Sequence, residues 1–324
     1  MSATTVFAPG KLFVIGEYAV LHGARALVAA VSAGIACRCL PASAWRIAAP
    51  DLGLDFAIDG VPRDSAAALL ASAATAARDE LAIASPLSFE VRGSELASRG
   101  KYGLGGSAAS VVAILGAAAV SAGLDLDAKG TRARLFSLAF SVHREHQRGR
   151  GSGADVAASV YGGWLDYALG EGGARIAPAA MPSGIRLGAV WSGVASDTAR
   201  AIEAFESPPV LGRLRSIVER FWVAVERADR AGIGREIDAY GEALESIDGG
   251  AGARRIADLV KRARALGFAA KGSGAVGGDC AIAVGFDPVD CARLEMEWRN
   301  AGAEPLGVAI DSRGVRRTTG SVHA

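Results

Sequence analysis

The sequence predicts an α+β protein of two domains with a cleft between them. The chain has 324 residues, of which 51% are hydrophobic and 21% charged, enough for two well-filled cores. β-type runs come first and are followed by alanine-rich helical segments, a pattern that favours packed sheets and helices. Two glycine-rich loops, at residues 101–106 and 271–279, each lead directly into a predicted element, as is typical of a ligand cleft.

The first half is predicted to begin with strands. Residues 6–20 indicate two short strands around APGK and GE, and residues 26–40 a paired strand rich in β-branched and small side chains. An alanine-rich helix over residues 65–81 and a strand over 87–91 come next. A buried helix over residues 107–122 then starts immediately after the first glycine loop.

A further helix is predicted over residues 131–147, and RGRGSG ends it. ADVAASVYGG restarts a short helix before the strand WLDYAL, and PSG near residue 183 marks a boundary. We therefore expect domains at residues 1–183 and 184–324. In the second domain we expect a strand in IRLGAVWSG, three amphipathic helices between about residues 197 and 267, and a glycine loop, KGSGAVGGDCAIAVGF, that leads into a strand.

Composition excludes several classes of protein. A formal net charge of +1 gives no overall electrostatic footprint for nucleic acid or an anionic membrane. The four cysteines have neither the density of a disulfide scaffold nor paired C-x-x-C spacing, so we expect reduced thiols in a cytoplasmic protein. The N-terminus shows no export signal, and the apolar run at 108–124 is interrupted by Ser and Gly, which favours a buried helix. Both a monomer and a homodimer remain open.

The stretch KYGLGGSAAS indicates a phosphate-binding loop without a Walker signature. Glycines at a helix start expose backbone N–H groups that cradle phosphate oxygens. A dinucleotide fold is excluded because the preceding segment, SELASRGKY, is polar rather than a strand. A tight turn at a helix cap is an equally good interpretation of the loop alone. The candidate nucleotide-binding residues are Lys101, Gly103, Leu104, Gly105, Gly106, Ser107 and Ala108.

Three ordered segments make the assignment specific. PGKLFVIGEYAVLHG, KYGLGGSAAS and KGSGAVGGDCAIAV closely resemble the three signature motifs of the GHMP kinases. The resemblance spans nearly the whole chain and implies the two-domain α+β fold of that family, with the active site between the domains. It further implies that the middle motif wraps the phosphates of ATP, with Mg²⁺ as the accompanying ion, while the other two motifs line the substrate cleft.

Several details resemble the branch of the family whose acceptor is (R)-5-phosphomevalonate. These are GEY in the first motif, KY before GLG, GSGADVAASVYGGW, WSGVASDT, the GGDC ending and GAEPLGV. The resemblance implies transfer of a phosphoryl group from ATP to give 5-diphosphomevalonate in the mevalonate pathway of isoprenoid biosynthesis. The alternatives are a kinase that acts on mevalonate and a non-catalytic metabolite sensor on the same scaffold.

Lys11 and Asp155 match the family's catalytic lysine and aspartate, although alone they suit a strand-end lysine and a helix N-cap. Ser107 matches the serine that reaches the metal. Mevalonate kinases carry a second, glutamate ligand eleven residues before the catalytic aspartate. Here Arg144 stands at that position, so Glu145, one residue away, is the candidate for a second metal ligand.

A phosphorylated acceptor needs cationic and hydroxyl donors. Arg148 and Arg150 flank the aspartate loop, although they also suit a helix end. His143 and His146 have i, i+3 spacing, for which a packed or solvated helix face is the simpler interpretation. The full set of candidate substrate-binding residues is Lys11, Glu17, Tyr18, Arg148, Arg150, Ser152, Ser192, Ser196, Thr198, Lys271, Ser273 and Gly274.

Overall fold

The structure, a computed structural model, describes residues 3–62, 65, 67–93, 102–194, 208–246, 251–274, 279–287 and 289–318. Three candidate site residues, Lys101, Ser196 and Thr198, lie outside these ranges. Within the described residues, every helix is too short or too polar to cross a membrane.

The strands are β1 (Thr4–Ile15), β2 (Arg25–Pro41), β3 (Arg46–Ala49), β4 (Leu54–Ala57), β5 (Leu87–Gly93), β6 (Trp164–Gly170), β7 (Gly173–Pro178), β8 (Ile185–Trp191), β9 (Ala269–Ser273), β10 (Cys280–Phe286), β11 (Glu304–Pro305) and β12 (Arg316–Thr318). The α-helices are α1 (Ala68–Glu80), α2 (Gly106–Ser121), α3 (Lys129–His146), α4 (Ala154–Tyr161), α5 (Pro208–Glu226), α6 (Arg230–Glu245), α7 (Ala251–Ala265) and α8 (Cys291–Asn300). The mixed α+β class is confirmed.

Two sheets organise the fold. The first has the order β12-β1-β2-β5-β3-β4, and β6 extends it by pairing with β2 and β7. Its pairs are antiparallel except for β3 with β5. The second sheet has the order β11-β8-β10-β9 and is antiparallel. The change of sheet occurs between Pro178 and Ile185, close to the expected boundary at residue 183, but β12 returns to the first sheet.

Strand β1 differs from the expected pair of short strands. It runs unbroken from Thr4 to Ile15, with an irregularity in its register against β2 between Pro9 and Gly10. Residues 16–20, expected to be extended, instead turn into a 3-10 helix over Ala19–His22. The turn is possible because Gly16 takes a φ of 103°, a conformation that glycine adopts without steric cost.

Helices α5 and α6 share a hydrophobic cluster with both sheets. Helices α1 to α4 cover the first sheet, and the centre of α2 is buried from Ala108 to Ala119 except at Ser110. Phe221 of α5 and Tyr240 of α6 pack in one cluster with Leu12 and Leu27 of the first sheet and Ile282 of the second. Helices α7 and α8 cover the other face of the second sheet. This shared cluster fixes the position of β1 relative to β9 and β10.

Candidate active site

A cavity of about 870 Å³ opens where β1, the first glycine loop and the start of α4 converge. Gly274, at the end of β9, and Asp279, before β10, complete its wall. All three sequence motifs therefore reach one cavity. The candidate site residues that line it are Lys11, Glu17, Tyr18, Gly103, Leu104, Gly105, Gly106, Ser107, Arg150, Ser152, Asp155 and Gly274.

The glycine loop requires glycine at two positions. Gly103 and Gly105 have φ angles of 72° and 77°, in the left-handed region where L side chains are strained. A Cβ on Gly103 would lie 2.7 Å from the Cβ of Asp279. A Cβ on Gly105 would lie 3.0 Å from Cγ of Lys11. Helix α2 begins at Gly106, so its first N–H groups have no acceptor within the helix, and Gly106 and Ser107 line the cavity.

Lys11 is held against this loop by two bonds. Its backbone N–H donates to the Leu104 carbonyl at 2.7 Å, and its ammonium donates to the Gly103 carbonyl at 2.9 Å. The residue is only 8% exposed, although it lines the cavity. An ammonium has three N–H donors, so this arrangement leaves two for a ligand. Lys11 is thus a fixed cation at the base of the phosphate loop.

Asp155 lies in the first turn of α4, where one carboxylate oxygen accepts from the N–H of Val156 at 2.9 Å. A Cβ on Gly105 would lie 3.0 Å from Lys11 and 3.7 Å from the Cβ of Asp155, so both side chains lie beside that glycine. The preceding loop is anchored by the Tyr167 hydroxyl, which donates to the Ser152 carbonyl. The structure thus brings Lys11 and Asp155 to one point of the cavity wall.

His143, which the sequence analysis assigned to a packed or solvated helix face, contacts both Ser107 and Asp155. The His143 ring is 1% exposed and places Nε2 3.0 Å from Oγ of Ser107. Its Nδ1 lies 3.7 Å from Oδ2 of Asp155. The i, i+3 pair of histidines is therefore divided: His143 points into the site, whereas His146 is exposed at the cavity rim.

The expected second metal ligand does not reach this position. Glu145 is exposed on α3 and, of the described residues, is not among those that line the cavity. Arg144 is also exposed, and its guanidinium donates to the Gly149 carbonyl at 3.1 Å. The residue of α3 that faces Ser107 is His143, because the helix presents one residue in three or four to a given neighbour. The spacing of residues in the sequence could not predict which residue of α3 faces Ser107.

The site nevertheless fits Mg²⁺. The Ser107 hydroxyl and the Asp155 carboxylate both line the cavity beside the glycine loop. Mg²⁺ in phosphoryl-transfer sites is held by one or two carboxylates together with substrate phosphates and water. Among the described residues, no group of three His, Cys, Asp or Glu side chains could hold a metal ion, so nucleotide phosphates would supply the remaining ligands.

Lys271 lies inside the protein rather than at the cavity wall. Its side chain is completely buried, and its ammonium donates to Glu17 and, at 2.6 Å, to the Gly272 carbonyl. Burial lowers the pKa of Lys271, and the adjacent Glu17 carboxylate opposes that effect. The other Glu17 oxygen, Oε2, has no hydrogen-bond partner among the described residues. This placement gives Lys271 a partner in Glu17 and does not support direct contact with a phosphate.

Several other candidates have structural partners. The Ser192 hydroxyl donates to the Val194 carbonyl at 3.1 Å, and the Ser273 hydroxyl donates to the Phe13 carbonyl at 2.8 Å. Neither serine lines the cavity within the described part of the chain, nor do Ala108 and Arg148. Arg150, in contrast, does reach the wall, beside Ser152. Arg150 is therefore the arginine of this loop that is placed to meet a bound anion.

One end of the cavity is apolar and was not predicted. It is formed by side chains of the β3–β4 turn, α1 and β5, segments without any motif. These residues are Ala49, Leu52, Leu69, Leu70 and Val91. Leu52 is exposed to 64% although it is a large apolar side chain. No sequence signal distinguishes these positions from ordinary core residues, because they come together only through the sheet order.

Comparisons with known proteins agree with this geometry. Residues 68–163 match the family model of the GHMP kinases N terminal domain. A phosphomevalonate kinase from Streptomyces sp. (strain CL190) is 28% identical over 95% of this chain and 97% of its own. A mevalonate kinase from Aeropyrum pernix is also 28% identical, over 86% of this chain and 88% of its own.

The fold has close counterparts among solved structures. Streptococcus pneumoniae phosphomevalonate kinase, in complex with phosphomevalonate and AMPPNP, superposes with a TM-score of 0.80 at 21% identity. The superposition covers 98% of this chain and 100% of the other. The glycine loop, the start of α4 and the two helices between them, α2 and α3, lie within the segment that the family model matches. The chain is therefore similar to the GHMP kinases, both in the segment that their N-terminal domain model matches and in its overall fold.

Proposed function

We propose that this protein transfers the terminal phosphoryl group of ATP to the phosphate of (R)-5-phosphomevalonate, in the mevalonate pathway of isoprenoid biosynthesis. The observation that carries the proposal is the placement of Lys11 and Asp155 together beside Gly105, at the base of a glycine loop that starts a helix. The similarity to a phosphomevalonate kinase over nearly both full lengths supports the acceptor.

The cavity can hold both substrates. Its apolar end, at Leu52, Leu69, Leu70 and Val91, suits a nucleobase, and the glycine loop beside it suits the phosphates. Arg150 and Ser152, at the α4 side, supply donors for an acceptor that already carries a phosphate. The reacting groups would then meet near Lys11 and Asp155, between the two ends.

The chemistry needs charge stabilisation more than proton removal. An oxygen of the acceptor phosphate forms a bond to the terminal phosphorus of ATP, and the bond from that phosphorus to the bridging oxygen breaks, which releases ADP. A phosphomonoester has a second pKa of about 6, so the acceptor oxygen is mostly ionised at neutral pH. The Lys11 ammonium donates to the transferring group, and Asp155 orients the lysine and the acceptor. Mg²⁺, when bound, neutralises charge on the nucleotide phosphates.

The nearest alternative acceptor is mevalonate, because the chain is also similar to a mevalonate kinase from Aeropyrum pernix. A bound acceptor covers Arg150 and Ser152, so an analogue without the charged group would leave these donors unpaired in the complex. We therefore expect kcat/KM for phosphomevalonate to exceed that for mevalonate by several orders of magnitude. A coupled assay of ADP release with both acceptors measures this ratio, and equal or better turnover of mevalonate would overturn the assignment.

Two arginines of the same loop provide a matched pair of variants. Both are exposed, but Arg150 lines the cavity, whereas Arg148 lies outside the lining within the described residues. We expect Arg150→Ala to raise KM for phosphomevalonate roughly tenfold or more, as for the loss of a charged hydrogen bond, while KM for ATP stays unchanged. Arg148→Ala should leave both constants near wild type. The reverse pattern would move the acceptor phosphate away from Arg150.

A cytoplasmic location is also proposed. Cys37, Cys39, Cys280 and Cys291 are free thiols in the structure, which is the usual state of cysteines in a reducing compartment. Counting free thiols in protein isolated under non-reducing conditions tests this proposal, and a disulfide-linked pair would contradict it.

A further inference from the structure

A buried histidine connects two groups of the proposed active site. His143 of α3 lies between Ser107, in the first turn of α2, and Asp155, in the first turn of α4. Its Nε2 is 3.0 Å from the serine oxygen and its Nδ1 is 3.7 Å from a carboxylate oxygen. The ring is 1% exposed, so water cannot substitute for either neighbour. Both ring nitrogens therefore depend on the site for their partners.

The two neighbours decide where the proton of a neutral ring resides. A neutral imidazole has one N–H donor and one acceptor nitrogen. A proton on Nε2 would leave the Nδ1 lone pair facing the Asp155 carboxylate, an unfavourable contact between two acceptors. A proton on Nδ1 faces that carboxylate favourably and leaves Nε2 to accept from Ser107. The Ser107 hydroxyl is then the donor of this hydrogen bond.

The direction of that bond controls what Ser107 offers to the cavity. With its proton directed at His143, the serine oxygen keeps both lone pairs for a ligand in the cavity that it lines. A lone pair suits a cation, whereas an O–H would suit a phosphate oxygen. The N–H groups at the start of α2 are suited to phosphate oxygens, so the serine oxygen is better used as an acceptor that faces a cation.

We propose that His143 is a positioning residue: it holds the hydroxyl proton of Ser107 and thereby presents the serine oxygen to the divalent cation of the bound nucleotide. The proposal deepens the proposed function, since it assumes a cation–nucleotide complex in this cavity, but it does not depend on the identity of the acceptor. It also gives α3 a role in the cation site through His143, in place of the exposed Glu145.

The test measures cation affinity without turnover. Mn²⁺ replaces Mg²⁺, AMPPNP replaces ATP, and free Mn²⁺ is counted by electron paramagnetic resonance with the full chain and no acceptor. We expect His143→Leu, which cannot accept a hydrogen bond, to weaken Mn²⁺ binding roughly 10–100-fold, the usual effect of losing a residue that orients a metal ligand. His143→Gln can still accept from Ser107, so it should stay within about threefold of wild type, a threefold change being roughly 0.7 kcal/mol.

A double-mutant cycle shows whether His143 acts through Ser107. If it does, Ser107→Ala and the double variant with His143→Leu should bind Mn²⁺ equally weakly. Additive losses, or wild-type affinity in His143→Leu, would overturn the proposal. If AMPPNP itself failed to bind to the wild-type chain, with or without Mn²⁺, the proposed function would fail instead.

A second measurement needs no variant and so does not depend on how well His143→Leu folds. In protein labelled with ¹⁵N at histidine, the ring nitrogen shifts identify the tautomer of the buried imidazole. We expect the proton on Nδ1 of His143. A proton on Nε2 would mean that the ring donates to Ser107, and the proposal would be wrong.

Discussion

Lys11 and Asp155 are the residues on which the proposed chemistry depends most directly. Their backbones belong to β1 and α4, yet both side chains lie within 4 Å of the position that a Cβ on Gly105 would occupy. The convergence matters because a preorganised charge is worth far more in a water-excluded site than in solvent. The roles assigned to them were predicted from their motifs, and kinetic tests at these two positions are the next step.

We expect Lys11→Met and Asp155→Asn each to lower kcat by roughly a hundredfold or more, the usual effect of deleting one preorganised electrostatic group. KM for ATP should change little, because the loop N–H groups that would hold the phosphates remain. Steady-state kinetics at saturating acceptor, together with the melting temperature, check this. A variant that turns over at close to the wild-type rate with an unchanged melting temperature would remove that residue from the mechanism.

At the scale of elements, the first glycine loop and helix α2 act as one unit. Gly105 caps the helix with a φ of 77°, and the space beside it is filled by Lys11 and Asp155. Gly123, just beyond the other end of α2, has a φ of 80° with nothing within 4 Å of a Cβ placed there. The two glycines share a backbone conformation but not an environment.

Alanine substitutions at Gly105 and Gly123 distinguish the effect of backbone strain on stability from an effect on catalysis. Alanine at either position should lower the free energy of unfolding by about 1–2 kcal/mol, the cost of a left-handed backbone for an L residue. Only Gly105→Ala should also lower kcat/KM for ATP, because its methyl group would displace Lys11. Denaturant unfolding and kinetics on both variants measure the two effects. If Gly123→Ala impaired catalysis equally, general loosening of α2 would be the cause.

Sequence reasoning succeeded where a local pattern defines the element. Helix α2 was expected at residues 107–122 and spans Gly106–Ser121; the strand expected at 87–91 is β5. It failed where the pattern is short or non-local. Strands β3, β4 and β7 and helix α8 were not predicted; β3 and β4 are four residues long and are defined by pairing rather than by periodicity.

The same distinction applies to the site. The glycine loop, Lys11 and Asp155 were identified from contiguous motifs. The role of His143 could not be, because it depends on which face α3 turns toward Ser107. The burial of Lys271 could not be predicted either, since its partner Glu17 is distant in sequence and reaches it only through the packing of β1 against β9.

At the scale of the whole molecule, the Lys271–Glu17 ion pair joins β9 of the second sheet to the turn that follows β1 of the first. Both side chains are at least 96% buried, with 0% and 4% exposed. Removing one partner of a buried pair leaves an uncompensated charge, which costs about 3–5 kcal/mol. The pair therefore makes the relative position of the sheets sensitive to a single substitution.

We expect Lys271→Met to lower the free energy of unfolding by about 3–5 kcal/mol, and addition of Glu17→Gln to recover part of the loss because the stranded charge is gone. Arg262→Met, which removes half-exposed pairs with Asp258 and Glu297, should cost less than about 1 kcal/mol. Urea unfolding of all three variants gives the comparison. An equal cost for Lys271→Met and Arg262→Met would show that the buried pair does not hold the fold together.

The pairing of β12 with β1 has a consequence for synthesis of the protein. Thr5 pairs with Thr318, so the outer edge of β1 has to wait for a partner strand that is synthesised more than 300 residues later. At roughly 5–20 residues per second, a ribosome needs on the order of 15–60 s to make the intervening chain. Throughout that time the edge offers unpaired backbone groups, a template for pairing with other nascent chains. Until β12 has been made, the edge of β1 in the nascent chain therefore needs another form of protection against such pairing.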